Sequence, residues 1–417
     1  MNSLLDISNL PFVVQTLYLI SLLPFYSAYF SNWLNQGLVL SGKFANLLST
    51  RNVHFIFWIW LISSTISFFP SKNHYSLVNL LFSAISLFFS RYFFVYLRYQ
   101  SVGRGNGAPG FMIYWYALYG FFFKVFHFLN WNIDILLILL VIDFSLIMTS
   151  SATYKFLNGY LANRGIEYGL VNPMWSRFSK FFINLIESHY KLSFNIFFSL
   201  NLVAILCEYL IAFFILIPNF RDVGALLLVM MFILLLPIKL GTLPLTMFAI
   251  SYSISDIKLE SMNLFNYSPW EFLFFITSIS VLCLSYLWVW TFNLELSLNH
   301  VVRSFAYKSY IFTGVIIWSV FTWGITKHYI RIAENTDKNG ASGTQLFGRD
   351  RGVHAGITRA TLMTFLERYP KLKTKQRERI RIYLDSKVFR SNETKDFEIF
   401  TINIDKNGVS FLKREIN

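Results

Sequence analysis

The sequence predicts an all-α polytopic membrane protein, with about nine transmembrane helices and a small C-terminal α+β soluble domain. Hydrophobic residues make up 55% of the 417 residues and charged residues only 14%, whereas soluble domains carry about 25% charged residues. Apolar runs of about 18 residues or more, enough to cross a hydrocarbon core of ~30 Å, recur along the chain. A β-barrel would instead show short alternating segments.

Nine apolar segments are predicted to cross the membrane. They lie near 11–30, 53–69, 76–97, 111–130, 133–152, 193–217, 223–250, 269–293 and 309–327. The segment at 223–250 is too long for a simple span, and Pro237, Gly241 and Pro244 interrupt it. It is predicted to be a kinked helix, a helix followed by a re-entrant piece, or two short spans. Irregular backbone at membrane depth is tolerated only where protein buries it or where it lines a cavity.

Basic residues in the loops predict the orientation. With the C-terminus in the cytoplasm, the inside loops hold ten Lys and Arg residues and the outside loops hold four, as the positive-inside rule requires. No Lys or Arg precedes Lys43, so the first apolar run lacks the basic flank of a signal peptide and is expected to be retained. The sequence therefore predicts a multi-pass protein of the bacterial inner membrane with a cytoplasmic C-terminus.

The chain is predicted to divide into a transmembrane domain over 1–330, a polar linker over 331–350 and a basic cytoplasmic α+β tail over 351–417. From Arg331 onward there are 18 of the 36 basic residues, and beside a membrane domain such an excess favours anionic lipid over nucleic acid as a partner. The tail is predicted to contain two helices broken at Pro370 and then a hairpin around an Asn-Gly turn. A tail this small is expected to dock on the membrane domain.

Charged residues inside apolar runs are the best pointers to function, because a charge at the bilayer centre costs roughly 2.5–3.5 kcal/mol. The candidates are Arg91, Lys124, His127, Asp134, Asp143, Lys155, Glu208 and Lys239. Asp143 needs a partner on another helix, and the cations available are Arg91, Lys124 and Lys239. A structural ion pair and a catalytic acid both remain open for it.

Lys124 and His127 are three residues apart and share one face of a helix. Lys124 is expected to reach out to the membrane interface. His127 is either a packed residue or a proton-transfer group in a polar cavity. The two cysteines, Cys207 and Cys283, are isolated within apolar runs, and the seven histidines are scattered. No metal site is predicted, and the sequence leaves the cofactor unknown.

Three stretches carry a resemblance to a known family: YKFLNGYLANRGIEYGLVNPMW at 154–175, CEYLIAFFILIPNFRDVGALLL at 207–228 and LGTLPLTMFAI at 240–250. Together they resemble the HTTM superfamily, whose membrane domains are related to those of the vitamin K-dependent γ-carboxylases and are distantly DoxX-like. The resemblance covers about 50–327 and implies a helical membrane domain.

By position, Lys155 corresponds to a family lysine that ends a helix, and Glu208, Pro218, Arg221 and Gly224 correspond to a second family element. No histidine follows the Arg-Gly helix, where carboxylase-like members tend to have one, so carboxylation chemistry is not implied. Other members take part in the maturation of, or immunity to, secreted peptide toxins.

Two functions remain open. The first is a membrane-embedded enzyme or maturation factor that acts on a lipid, quinone-like or membrane-bound peptide substrate through a polar cavity. In that case Lys155 is a base or anion anchor, Glu208 a proton acceptor and Arg221 a carboxylate or phosphate clamp, with His127 as a fourth catalytic candidate. The predicted substrate-binding residues are Glu167, Tyr168, Asn172 and Trp175.

The second function is a non-catalytic scaffold or accessory subunit of a larger membrane complex, with membrane lipids and other membrane subunits as partners. Convergence of Lys155, Glu208 and Arg221 within about 10 Å would favour the enzyme. Separate structural contacts for the three would favour the scaffold. A transporter is less favoured, since the sequence shows no convincing inverted repeat.

The stretch 154–175, which we call the re-entry element, is the predicted site region. Glycines at 159, 165 and 169 are expected to permit turns. Asn172 and Pro173 are expected to cap an amphipathic helix that lies along the membrane interface.

Overall fold

The computed structural model describes residues 7–22, 50–68, 77–91, 108–157, 159–161, 164–173, 175–238, 243–257, 268–294, 296–313, 328–333 and 396–414. Within these residues the protein is mostly helical, with twelve α-helices and one three-stranded sheet.

The helices are α1 (Leu10–Leu22), α2 (Thr50–Phe68), α3 (Leu77–Arg91), α4 (Ala108–Phe128), α5 (Asp134–Leu157), α6 (Gly165–Val171), α7 (Ser179–Ser188), α8 (Tyr190–Leu216), α9 (Arg221–Leu234), α10 (Leu243–Ser255), α11 (Pro269–Leu294) and α12 (His300–Thr313). A 3₁₀ turn at Pro218–Phe220 joins α8 to α9. The strands are β1 (His328–Ala333), β2 (Asp396–Asp405) and β3 (Gly408–Arg414).

Three of the described helices are long and apolar enough to cross a membrane: α5, α8, and α11 over Pro269–Thr291. They coincide with three of the predicted segments. The most apolar part of α5 is 72% buried, against 33% for α8 and 22% for α11. The helix α5 is therefore the centre of the bundle, and α8 and α11 lie at its periphery with apolar side chains facing outward.

The helix α3 is polar inside and apolar outside. Its buried residues are Asn79, Ser83, Ser86 and Ser90, whereas Leu77 and Phe88 are about three-fifths exposed (59% and 62%). A helix on the surface of a soluble protein has the opposite pattern. The pattern of α3 is the one expected where the surrounding solvent is lipid.

The predicted segment 223–250 forms an antiparallel pair of short helices, α9 and α10. Arg221 at the start of α9 bonds to Ile257 just beyond the end of α10, and the Ser251 hydroxyl donates to the Ala225 carbonyl at 2.7 Å. With 14 and 13 residues, each helix is only about 20 Å long. The structure thus excludes a single kinked helix, and a helical hairpin of half-length segments takes its place.

The predicted hairpin around the Asn-Gly turn is confirmed by β2 and β3, which pair from Ile399 with Arg414 to Asp405 with Gly408. Gly408 has a φ of 113°, which favours glycine at this turn. The strand β1 was not predicted. It pairs with β2 and crosses the predicted domain boundary at residue 330, in a stretch that the sequence assigned to the end of the transmembrane domain and the start of the linker.

The last predicted span, 309–327, differs from the structure in the position where its helix begins. The helix α12 begins at His300, and residues 314–327 lie outside the described part of the chain. The two tail helices predicted around Pro370 also lie outside it.

The sheet packs on the helical bundle, as the tail was expected to do. An Arg164 guanidinium nitrogen donates to the Ile404 carbonyl of β2 at 3.1 Å. At the turn, a Cβ added to Gly408 would lie 3.1 Å from Cγ of Glu187 in α7. The apolar side chains of Phe400, Ile402 and Ile404 are buried.

Candidate functional site

The described part of the re-entry element contains the end of α5, a turn at residues 159–161 and the short helix α6. The chain leaves α5 through Gly159, whose φ is 67°, and enters α6 through Arg164, whose φ of 54° is also left-handed. Every residue of α6 is buried. A solvated interhelical loop would be exposed, so α6 is part of the protein interior.

Of the three glycines predicted to permit turns, Gly159 does so, whereas Gly165 is the first residue of α6 and is required there for close packing. Gly159 adopts the left-handed backbone that glycine favours. A Cβ on Gly165 would lie 2.1 Å from the Tyr160 ring, so this position requires the close approach that only glycine allows. Gly169 lies within α6 and forms no turn, which corrects the expectation for that residue.

The prediction that Asn172 and Pro173 cap the start of the amphipathic helix is wrong. Asn172 ends α6, where its amide donates to the Tyr168 carbonyl. The Asn172 carbonyl then accepts from the amides of Trp175 and Ser176 at 3.0 and 2.9 Å. The chain leaves α6 at this turn, and the amphipathic helix α7 begins only at Ser179.

Lys155 and Glu208 form an ion pair between α5 and α8. The Lys155 ammonium donates directly to Oε1 of Glu208. The two residues are only 9% and 2% exposed. The Tyr160 ring centroid lies 5.8 Å from the same ammonium. The structure therefore brings together two of the predicted catalytic residues, in contact with each other.

Arg221 and His127, the other two predicted catalytic residues, do not lie beside the Lys155–Glu208 ion pair. The Arg221 guanidinium donates to the Ile215 carbonyl at 3.1 Å and the Ile257 carbonyl at 3.0 Å, joining the ends of α8 and α10. Ile215 is seven residues beyond Glu208 in α8, a rise of about 10 Å. His127 is half-buried in the last turn of α4, the turn that leads into the start of α5, whereas Lys155 is at the end of α5. The four candidates do not form one constellation.

Glu167 and Arg164 are the charged pair within the re-entry element. Glu167 is 1% exposed, and its nearest ionic partner is Nε of Arg164 at 3.5 Å. Among the described residues neither carboxylate oxygen has a hydrogen-bond partner. Burial raises the pKa of Glu167 to about 7, although the Arg164 guanidinium lowers it. Arg164 itself donates to the Tyr190 hydroxyl at 2.6 Å.

This buried carboxyl predicts a pH-dependent stability. Because the pKa of Glu167 in the folded protein is above its ordinary 4.5, the folded state binds the proton more tightly than the unfolded chain. The contribution of Glu167 is therefore complete below about pH 4.5 and is lost as the pH rises through about 7. Glu167→Gln should abolish this loss and make the protein more stable above pH 7, by at most about 3 kcal/mol.

Thermal unfolding in detergent at pH 5 and pH 8 measures the effect as the difference between the variant and the wild type. Asp256→Asn, at an exposed position, is the matched control and should show no such difference. Equal pH profiles for Glu167→Gln and the wild type would contradict the assignment.

The other predicted substrate-binding residues support the local fold. Tyr168, Asn172 and Trp175 are all buried. Sequence reasoning missed Asn201 of α8, whose side-chain oxygen accepts from the Ile166 amide at 2.9 Å and so caps the start of α6. A polar residue within the apolar run of α8 was the available signal.

A separate cavity of about 490 Å³ lies between α3, α4, α5, α11 and α12. Most of its lining is apolar, and two charged residues reach it, Asp143 and Arg91. Phe88 and Phe312, which also line it, are 62% and 70% exposed. The cavity is thus reached from the outer, apolar surface of the bundle.

Asp143 is held by three neutral donors at the wall of this cavity. The Trp115 indole and the Tyr119 hydroxyl donate to Oδ2 at 2.6 and 3.1 Å, and the Tyr286 hydroxyl donates to Oδ1 at 2.9 Å. Of the two alternatives open for Asp143, a direct ion pair with Arg91 or Lys124 is not formed. Aromatic donors replace it, because their rings fill apolar space while their polar ends reach the carboxylate.

Arg91 lies at the end of α3 with its guanidinium against two aromatic rings. One nitrogen donates to the Tyr114 hydroxyl at 2.8 Å. The guanidinium carbon is 5.6 Å from the Tyr114 ring centroid and 5.9 Å from that of Phe312. Arg91 is therefore a cation in the cavity lining, beside the exposed Phe312.

Within the described part of the chain, no group of three or more His, Cys, Asp and Glu residues could hold a metal ion. Lys239, one of the cations considered for Asp143, lies outside the described residues.

No family model, curated protein or solved structure matches this chain. The resemblance to the HTTM superfamily therefore stays a prediction that rests on the quoted stretches.

Proposed function

We propose that this protein is a multi-pass membrane protein of about nine spans, HTTM-like, that acts as a membrane-embedded enzyme or maturation factor on a lipid-like substrate. The substrate lies in the cavity beside Asp143 and Arg91. In the proposal the protein resides in the bacterial inner membrane with its C-terminus in the cytoplasm. The three long apolar helices and the inverted polarity of α3 support a membrane location.

The observation that carries the proposal is a buried carboxylate at the wall of an outward-facing apolar cavity. A volume of 490 Å³ falls within the ~300–1,000 Å³ typical of ligand sites. Apolar lining suits a hydrocarbon chain, and the few polar groups suit the orientation of a single head group. Asp143 is nine residues into α5, a rise of about 14 Å, which places it near the middle of a ~30 Å core.

The chemistry assigned to Asp143 is the acceptance of a proton or a hydrogen bond from the substrate. Its three donors fix the carboxylate in one orientation, as a positioned base requires. Lys155 and Glu208 are less suited to this role, because each already neutralises the other. The substrate site in this proposal is therefore the cavity, and the re-entry element, which follows the other end of α5, has a structural role.

Photolabelling tests the proposal. The purified protein in detergent is incubated with a diazirine-bearing fatty acid, irradiated and digested. Label is expected on peptides of α4, α5 and α11. Leu118→Trp, which places a larger side chain in the cavity lining, should reduce this label several-fold, because the added ring occupies the space of the chain.

The matched control is Leu210→Trp, on the exposed face of α8, which should leave the cavity label unchanged. Asp143→Asn keeps the shape of the site and should alter the preference for the head group and not the labelling position. Label confined to other helices, or insensitive to Leu118→Trp in a folded variant, would overturn the proposal.

One observation favours the second candidate, a non-catalytic accessory subunit. Lys155, Glu208 and Arg221 make structural contacts with one another or with helix ends and do not converge on a common space. Mass spectrometry of the protein purified in mild detergent distinguishes the two. A stoichiometric membrane partner without a bound lipid would favour the subunit.

A further inference from the structure

A line of buried polar side chains runs between α1, α2 and α3, and we call it the polar seam. Each of its members is at most 5% exposed. They are Gln15 and Thr16 of α1, Ser63, Ser64 and Ser67 of α2, and Asn79, Ser83, Ser86 and Ser90 of α3. Nine buried polar residues on three mostly apolar helices require a physical explanation, because burying a polar group costs free energy unless it is hydrogen-bonded.

Cross-helix hydrogen bonds place the three helices around the seam. The hydroxyls of Thr16 and Ser64 are 2.8 Å apart, and the Ser64 hydroxyl also donates to the Phe12 carbonyl at 3.2 Å. The Gln15 amide nitrogen donates to the Ser86 carbonyl at 3.3 Å. The Gln15 side chain is therefore directed from α1 towards α3, across the seam.

One end of the seam is the ammonium of Lys124. It donates to the Ser67 carbonyl and, at 2.6 Å, to Oδ1 of Asn79, and it lies 4.7 Å from the centroid of the Phe12 ring. Lys124 is 2% exposed, so the expectation that it reaches the membrane interface is wrong. It points inward because carbonyl and amide oxygens of α2 and α3 bind it there.

The other end of the seam is Ser90, the residue before Arg91. From Asn79 to Ser90 the rise along α3 is about 16 Å, roughly half the thickness of a hydrocarbon core. The seam thus joins a buried cation to the end of α3 where Arg91 contacts Tyr114.

Several seam serines form hydrogen bonds to carbonyls of their own helix, whereas three polar atoms of the seam have no hydrogen-bond partner among the described residues. The hydroxyls of Ser67 and Ser83 donate to carbonyls one turn earlier, at 2.6 and 2.7 Å. By contrast, Oε1 of Gln15 and the hydroxyls of Ser86 and Ser90 have no hydrogen-bond partner among the described residues. All three side chains are 0% exposed. Leaving such a group unsatisfied costs about 1–3 kcal/mol.

Close helix packing explains only part of this arrangement. Small residues let membrane helices approach each other, which accounts for the size of the serines. It does not account for Gln15, whose long amide side chain would be replaced by an apolar one in a dry interface. Buried polar groups without protein partners are typically satisfied by internal water.

We propose that the polar seam is a hydrated path, passable to species the size of water, that connects the Lys124 ammonium with the Arg91 end of α3. Water in the path satisfies the unpaired polar atoms of Gln15, Ser86 and Ser90 and extends towards the Lys124 ammonium. None of the nine seam residues lines the Asp143 cavity, which the path approaches only at Arg91, so the path is tested independently of the proposed substrate site.

Silver-ion accessibility tests the path, because Ag⁺ is close to water in size and reacts with thiols. In a background with Cys207→Ala and Cys283→Ser, we would introduce Ser86→Cys and Ser90→Cys one at a time. Ile85→Cys, on the outward face of α3, is the matched control. Proteoliposomes are exposed to Ag⁺, quenched and denatured, and the remaining thiol is counted with a fluorescent maleimide.

The thiols at positions 86 and 90 are expected to react with Ag⁺ at least about tenfold faster than the thiol at 85. Adding Gln15→Leu, which removes the polar group that crosses the seam, should slow the reaction at position 86 several-fold. Variants are compared only where thermal unfolding shows the wild-type fold, and Ser→Cys changes little in volume. Rates at 86 and 90 equal to or below the rate at 85 would show a dry packing interface and overturn the proposal.

Discussion

Lys155→Met is expected to lower the free energy of unfolding by about 3–5 kcal/mol. The substitution keeps a chain of similar length but removes the ammonium that pairs with Glu208. Glu208 is 2% exposed, and its second carboxylate oxygen has no other partner among the described residues. The remaining charge would be buried without compensation between α5 and α8.

The matched double variant separates this penalty from the net contribution of the pair. Lys155→Met combined with Glu208→Leu replaces both charges by apolar groups, which often restores stability where a buried pair is lost. We expect it to recover most of the loss seen with Lys155→Met alone. Lys180→Met, at an exposed position of α7, should change stability by less than about 0.5 kcal/mol.

Unfolding in mixed micelles of mild detergent and dodecyl sulfate provides the measurement. A Lys155→Met variant as stable as the wild type would refute the buried pair. If the double variant is stable and still shows the cavity photolabel, the pair is structural. If the label disappears while the fold remains, the pair takes part in substrate handling.

Arg221→Leu is expected to lower the free energy of unfolding by about 2–6 kcal/mol. The guanidinium satisfies two carbonyls, one at the end of α8 and one just beyond α10, and each buried carbonyl left unpaired costs about 1–3 kcal/mol. Arg221 is 4% exposed, so water cannot readily replace it. The main consequence should be separation of the α9–α10 hairpin from the end of α8.

Arg221→Lys should recover only part of the loss, because a single ammonium does not reproduce the planar fork of donors that reaches two carbonyls. Asp222→Asn, at the exposed neighbouring position, is the control and should stay close to the wild type. Limited proteolysis between α8 and α9, read together with thermal unfolding, locates the change. Unaltered cleavage and stability for Arg221→Leu would show that Arg221 does not hold the end of α8 to the α9–α10 hairpin.

Residue composition was enough to predict the helices, because each apolar run must satisfy its own backbone hydrogen bonds and shield itself with hydrophobic side chains. Most of the helix positions, the break within 223–250 and the hairpin after residue 395 follow from local signals. The strand β1 was missed because its pairing with β2 joins residues about seventy positions apart, and nothing in HYIRIA marks that partner.

The candidate site was predicted in part. Lys155 and Glu208 were selected because charges in apolar runs are costly, and both lie in the interior, but the choice of partner depends on which helices pack together. Asp143 illustrates this most clearly. Its charge was visible in the sequence and left an ion pair and a catalytic acid open, and the aromatic residues on α4 and α11 supply the donors to it.

The sequence by itself determined the helical class, the apolar runs and the positions of the few charges within them. These properties depend on composition and short-range periodicity, which act on each segment alone. Only the tertiary structure decided that Lys155 meets Glu208, that Arg221 joins two helix ends, that Asp143 faces a cavity and that polar residues of three helices form one seam. Each of these contacts depends on which helices are neighbours and on how each helix is rotated about its own axis. Both are determined by packing between segments that are distant in the chain.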